Sequence, residues 1–220
     1  MKNKIVAIIS SIAILIGLFV VGAKMYKSSE ADRLSSLSSD DLKLFMPEYS
    51  PVYGDENAKV ILTEFLDPEC ESCRIYFPKV KKLLEMYKGK VKLVVRYAAF
   101  HRNSKHAIKV LEATRKQNKY WESLALLFNY QPGWADHHNP QPQMAFEYLK
   151  ELDIDIAKLK EDMKDPKIEQ IIEMDAKAIK TLKLRGTPSF FVNGVAPENF
   201  GEQYLYNAVN KAVQQSYKTP

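Results

Sequence analysis

Cys70 and Cys73 are the only cysteines in the 220 residues, and Glu71 and Ser72 separate them. They follow the strand-like run Lys59-Val-Ile-Leu-Thr-Glu-Phe-Leu66 and precede a helix-like stretch, so both sulfurs fall on the first turn of a helix. A helix N-terminus offers partial positive charge and free backbone N–H groups, which stabilise a thiolate on the first cysteine. A thiolate that attacks disulfides, beside a second thiol that resolves the product, performs dithiol–disulfide exchange. A structural disulfide is one alternative, although it more often closes a long loop, because a short loop removes less entropy from the unfolded chain. Metal binding is the other. Zinc takes about four ligands, and without a second cysteine pair the rest would come from His101, His106, His137 or His138. The order strand, Cys-x-x-Cys, helix is the redox context.

Glu64 is the second residue with chemical potential. In an extended run it shares a face with Val60 and Leu62, and a carboxylate among apolar neighbours is costly unless paired or functional. A salt bridge to Arg96 or a lysine is one reading; an acid beneath the cysteines that accepts or supplies protons is the other.

The elements that must position these groups follow from periodicity. Ala58 to Leu66 is mostly apolar on both faces, as in a central strand covered by helices. Cys70 to Tyr87 is a helix with Val80, Leu83, Leu84 and Tyr87 inward and Pro78 bending it, and Val91 to Tyr97 is a second, β-branched strand. His101 to Lys164 is mainly helical, interrupted by a loop over Gln131 to Pro142 that carries Trp134, His137 and His138. Asp165-Pro166 caps another helix. Ser189 to Val192 is a strand leading into an Asn193-Gly194 hairpin turn and a short returning strand, and a helix over Gly201 to Gln215 closes the chain.

Composition sets the address. Hydrophobic content of 46% supports a substantial core. The formal charge of +5 includes Lys2 and Lys4, and no basic run is interleaved with aromatics, so nucleic acid is not an expected partner. Ile5 to Ala23 carries no charge, with Lys2 and Lys4 before it and Lys24 after it. At 1.5 Å per residue this stretch reaches about 28 Å, close to the hydrocarbon thickness. Residues 1–24 are therefore a signal peptide or membrane anchor; the length favours an uncleaved anchor, while Val21-Gly22-Ala23 suits cleavage. Either way the cysteines lie outside the cytoplasm, in a periplasmic or extracytoplasmic space where disulfides persist. Residues 25–47 form a flexible linker, Ser-rich over Lys27 to Asp41, in which Ser38, Ser39 and Asp40 could each cap a short helix, and the folded domain begins near Glu48.

The element order resembles the thioredoxin fold with the inserted helical domain of the DsbA family, an α/β class, over roughly Ser50 to Ser216 with the insertion at about 101–164. The carrying pieces are Glu64-Phe65-x-Asp67-x-x-Cys70-x-x-Cys73, Arg96 with His101 and Asn103-Ser104, Glu112-Ala113 with Gln117 and Trp121, and Gly186-Thr-Pro-Ser-Phe-Phe-Val-Asn-Gly194. By position, Cys70 resembles the exposed nucleophile and Cys73 the buried resolving thiol. Glu64 matches the family's buried acid. Pro188 resembles the cis-proline that faces the cysteines, and the backbone of Thr187 beside it is the implied pairing site for an extended substrate.

The resemblance implies an exported thiol:disulfide oxidoreductase. Its clients would be cysteine-containing exported proteins. Its partner would be a quinone-linked membrane oxidase or a membrane reductant relay. No soluble cofactor and no metal are implied. A periplasmic reductase or isomerase is the nearest rival. A copper or zinc metallochaperone using Cys70, Cys73 and a histidine from the His137-His138 loop is the rival of another class, and a redox-dead peptide-binding module is a third. The departure from the family is the dipeptide: DsbA has Pro-His between its cysteines, whereas Glu71-Ser72 brings no cation. With Glu69 and Asp67 also nearby, the sequence predicts a Cys70 pKa near that of thioredoxin, ~7. The matching potential lies roughly between −170 and −260 mV.

Overall fold

The computed structural model describes residues 15–19, 21–22 and 42–217. Strands β2 (Val60–Leu66) and β3 (Val91–Tyr97) form the parallel centre of a four-stranded sheet. Strand β1 (Val52–Tyr53) adds antiparallel to β3, and β4 (Ser189–Val192) adds antiparallel to β2, giving the order β1-β3-β2-β4. The parallel crossover between β2 and β3 is helix α2 (Glu71–Met86), and Pro78 lies inside it. The two central strands are buried on both faces, as their near-continuous apolar runs require.

Alternation along the strands sorts the core into two clusters. Val60, Leu62 and Leu66 face the side that holds Leu93, Val95, Tyr97 and Cys73 of α2. Phe65 faces the other side with Phe191, Ala178 and Leu182. Register decides the fate of Glu64. It pairs with Val95, while Phe65 pairs with Arg96, so Glu64 and Arg96 point to opposite faces. The Glu64–Arg96 salt bridge, one of the two readings of Glu64, does not form. Arg96 instead meets Asp175 of helix α8 (Pro166–Leu182) at 2.5 Å, and it also bonds the Tyr49 hydroxyl and the Leu44 carbonyl.

Between β3 and α8 lies the expected helical block: α3 (Ser104–Arg115), α4 (Tyr120–Asn129), α5 (Gln131–Trp134), α6 (Met144–Leu149) and α7 (Ile156–Asp162). The loop expected from Gln131 thus starts as a helical turn, because Trp134 is buried and donates its indole N–H to the Leu127 carbonyl at 2.8 Å. Asp165 caps α8 by accepting from Lys167 N, with Pro166 at the first helical position. The Asn193-Gly194 turn forms with positive φ at both residues, but only the bridge Val192–Val195 follows it, not a returning strand. Asn193 turns back to β2 instead, exchanging bonds with Ile61 N and O at 2.8 Å each. Helix α9 (Glu202–Ser216) packs Leu205, Val209 and Val213 into the first cluster.

The folded body reaches further toward the N-terminus than Glu48. Helix α1 (Leu42–Phe45) falls in the stretch expected to be linker, yet Phe45 is 1% exposed and packs on Phe191 at 4.8 Å between ring centroids. Apart from residues 15–19 and 21–22, which are helical and exposed, the expected span over 5–23 lies outside the described residues, as does the linker up to 41. Among the described residues, no helix is long and apolar enough to cross a membrane.

Candidate active site

Strand β2 ends at Leu66, and residues 67–70 form the turn that launches α2. Cys70 is the N-cap, with extended backbone and no side-chain capping bond, so its sulfur is free to meet the first-turn N–H groups. Cys70 keeps 8% of its surface exposed and Cys73 none. The nucleophile position is thus a narrow window rather than an open thiol. On the far side of that window the peptide Thr187–Pro188 is cis, and Cys70 Sγ lies 3.3 Å from the Thr187 carbonyl oxygen. Beside Pro188 opens a cavity of about 560 Å³, lined among others by Leu184, Phe190, Phe200 and Leu205.

The two thiols differ sharply in acidity. A hydrogen bond from Cys73 lowers the Cys70 pKa most; burial opposes it; Thr187 and the N–H groups of Cys73 and Ser72 add to the lowering, and the result is about 5. Cys73 goes the other way, pushed up chiefly by burial and then by its bond to Cys70 and the charge of Glu64. Its sulfur also accepts from Asp67 N at 3.4 Å. Glu64 is 2% exposed, and no ion pair reaches it among the described residues. Burial first, and the Cys70 charge second, raise its pKa to about 8, so it holds a proton at neutral pH.

The Cys70 value corrects the expected ~7. That expectation set Asp67, Glu69 and Glu71 against the sulfur. Asp67 is 0% exposed and its carboxylate is fully engaged. It accepts from Glu69 N at 2.9 Å, Phe100 N at 2.9 Å and Ser104 Oγ at 2.8 Å, and it meets His101 Nδ1 at 2.7 Å. Glu69 accepts from Asn103 N at 2.6 Å and from Asn103 Nδ2 at 3.1 Å. Glu71 is exposed and turns to His137 Nε2, 3.6 Å away. Ser72 contributes its backbone N–H to Cys70.

The geometry adds residues that the sequence reading left without a role. Gln131, read as loop, donates from Nε2 to the carbonyls of Pro68 and Cys70 at 2.8 and 3.1 Å, and it accepts from Arg74 Nε at 3.0 Å. Nothing in its local sequence marks it, since its partners lie some 60 residues away. His101 was legible only as a possible ligand and as one element of the resemblance. Among the described residues, no group of three or more His, Cys, Asp or Glu side chains could hold a metal.

Residues 47–214 match the family model described as Thioredoxin. The chain belongs to the thioredoxin family. This thioredoxin-family chain is similar to disulfide bond formation protein D of Bacillus subtilis, at 26% identity over 76% of this chain and 77% of that protein. It superposes on the structure of oxidised BdbD from the same organism with a TM-score of 0.65 at 25% identity, covering 75% of this chain and 93% of that one. It is also 29% identical to a Na(+)/H(+) antiporter, NhaA 3 of Salinispora tropica, over 80% of this chain. The chain spans 27% of that antiporter's length. The helical insertion within the thioredoxin fold is the DsbA-like arrangement expected from the sequence.

Proposed function

We propose that this thioredoxin-family chain is an extracytoplasmic thiol:disulfide oxidoreductase that forms disulfides in cysteine-containing exported proteins. The observation that carries the reading is the asymmetry of the pair: Cys70 caps the helix N-terminus with a window to solvent and is the more acidic thiol, and Cys73 is sealed beneath it with its acidity suppressed by burial. A substrate thiolate attacks Cys70 Sγ, the Cys70–Cys73 bond breaks, and Cys73 leaves. So weak an acid leaves poorly as a thiolate, and Glu64, which holds its proton at pH 7, supplies one from below. A second substrate thiolate then attacks the substrate sulfur of the mixed disulfide, and Cys70 leaves as a thiolate. The substrate loses two electrons and two protons; the pair gains the electrons. Thr187, beside Pro188, gives backbone pairing to the extended substrate, and the neighbouring apolar cavity takes its side chains.

With no further cysteine in the chain, an external partner reoxidises the pair. A quinone-linked membrane oxidase suits the oxidative direction and a reductant relay the opposite one. Residues 5–23 would bring the domain to that partner as a tether to the inner membrane. Placing a thiol of pKa about 5 between thioredoxin (~7, −270 mV) and DsbA (~3.5, −120 mV) gives a potential of about −180 mV, at the oxidising end of the expected range. Titration of the protein against glutathione redox buffers, with thiols counted, tests this. A value below about −230 mV refutes the oxidative direction. The absence of a reversible two-electron transition refutes thiol–disulfide exchange altogether.

A further inference from the structure

We propose that the protonated imidazole of His101, held by Asp67, is the charge partner of the Cys70 thiolate and supplies the cation that Glu71-Ser72 lacks. The inference rests on the exchange reading above. Three carboxylates surround the cysteine turn: Asp67 and Glu69 before Cys70, and Glu71 after it. Among the described residues, the ion pairs made by Asp67 and Glu71 are to histidines alone, His101 at 2.7 Å and His137 at 3.6 Å. The two rings meet edge to face, 5.1 Å between centroids. His101, partly exposed, is therefore fixed beside the cysteine turn, joined to Asp67 directly and to Glu71 through His137. The loop that carries it cannot swing away, because His101 N also bonds Asp67 and Ser104, and Ser104 Oγ reaches both Asp67 and Glu69.

The groups that face His101 are Asp67, Glu69 and Cys70 from the cysteine turn and His137, with Glu71 behind it, from the loop after α5. Burial works against the imidazolium, while the bond and charge of Asp67 and the charges of Cys70 and Glu69 favour it, and the net pKa lies above the ordinary value. The proton count then closes. Of the two protons released by the substrate dithiol, one restores the proton that Glu64 gave to Cys73 and the other ends on His101, leaving a thiolate–imidazolium pair in the reduced site. His101 acts on Cys70 through its charge and is a positioning residue.

Two measurements test the proposal. In reduced protein, the 240 nm thiolate absorbance of the wild type titrates near pH 5. In H101Q, whose amide can still bond Asp67, the midpoint rises by about one unit, and the glutathione equilibrium at pH 7 shifts roughly tenfold toward the disulfide. That difference shrinks as pH rises through the His101 midpoint, which a merely structural role would not produce. The second needs no variant. By reciprocity, the His101 ring in the wild type, followed by NMR, titrates at lower pH in the disulfide form than in the dithiol form. An unmoved His101 midpoint between redox forms, or an H101Q thiolate that titrates with the wild type in a folded protein, overturns the proposal while leaving exchange intact. A wild type with no reversible exchange at all overturns both.

Discussion

Glu64→Gln removes a titratable group that the fold holds in its neutral form, and the effect on stability has a definite pH signature. Burial and the Cys70 charge move the Glu64 pKa from 4.5 to about 8. Folded Glu64 thus keeps its proton over a range in which the unfolded chain has lost it. The folded state binds more protons there, so stability falls as pH rises from about 4.5 toward 8. Glutamine matches the shape of the neutral acid and has no such cost. From the two pKa values the variant gains about 1 kcal/mol over the wild type at pH 5, about 3 at pH 7 and about 4–5 at pH 9. The assay is urea unfolding of both proteins under reducing conditions at each pH, read as the change in midpoint at constant slope. The disulfide forms give an internal control: without the Cys70 thiolate, the smaller cause of the shift disappears and the gain shrinks. A difference that is flat between pH 5 and 8, or a variant less stable than the wild type at pH 8, would refute the placement of Glu64 as a buried, unpaired acid.

Arg96→Met strands the Asp175 carboxylate in the core, and the loss of a buried partner of this kind costs about 3–5 kcal/mol; a loss under about 1 kcal/mol in urea unfolding would mean that Tyr49 and the Tyr97 N–H hold Asp175 unaided. Phe45→Ala empties a site among Phe65, Phe191 and Leu182 at a cost of about 3 kcal/mol or more. A chain beginning at Glu48 should lose a comparable amount against one beginning at Leu42, and equal thermal midpoints would return residues 42–47 to the linker.

Local signals carried much of this architecture. The apolar runs of β2 and β3, the Asp165-Pro166 cap and the Asn193-Gly194 turn all depend on neighbours in the chain, and each formed where the sequence places it. The misreadings concern partners distant in sequence. Of the two readings of Glu64, the pairing with Arg96 fails because a parallel register of Phe65 to Arg96 puts the two on opposite faces, and the partner of Arg96 lies on α8. Asp67 and Glu69 looked like charges opposing a thiolate because nearness in sequence gives no direction. Their acceptor oxygens are taken by Asn103 and Ser104, more than 30 residues on. Phe45 groups with the linker in the sequence because one turn of helix after Asp40 is too short to show a buried face, and its pocket is assembled from β2, β4 and α8.

The fastening of the cysteine turn has a consequence for how this protein can be divided. Asn103 and Ser104, at the start of the helical block, and Gln131, in its middle, hold Asp67, Glu69 and the carbonyls of Pro68 and Cys70. Excising residues 101–164 to reach a minimal thioredoxin would therefore strip Glu69 and the Pro68 carbonyl of these donors, and leave Asp67 with only the N–H groups of Glu69 and Phe100 and the Cys70 carbonyl with only that of Arg74. The block is a brace for the reactive turn. Any chimera that exchanges it must exchange residues 67–69 with it, as one inherited unit.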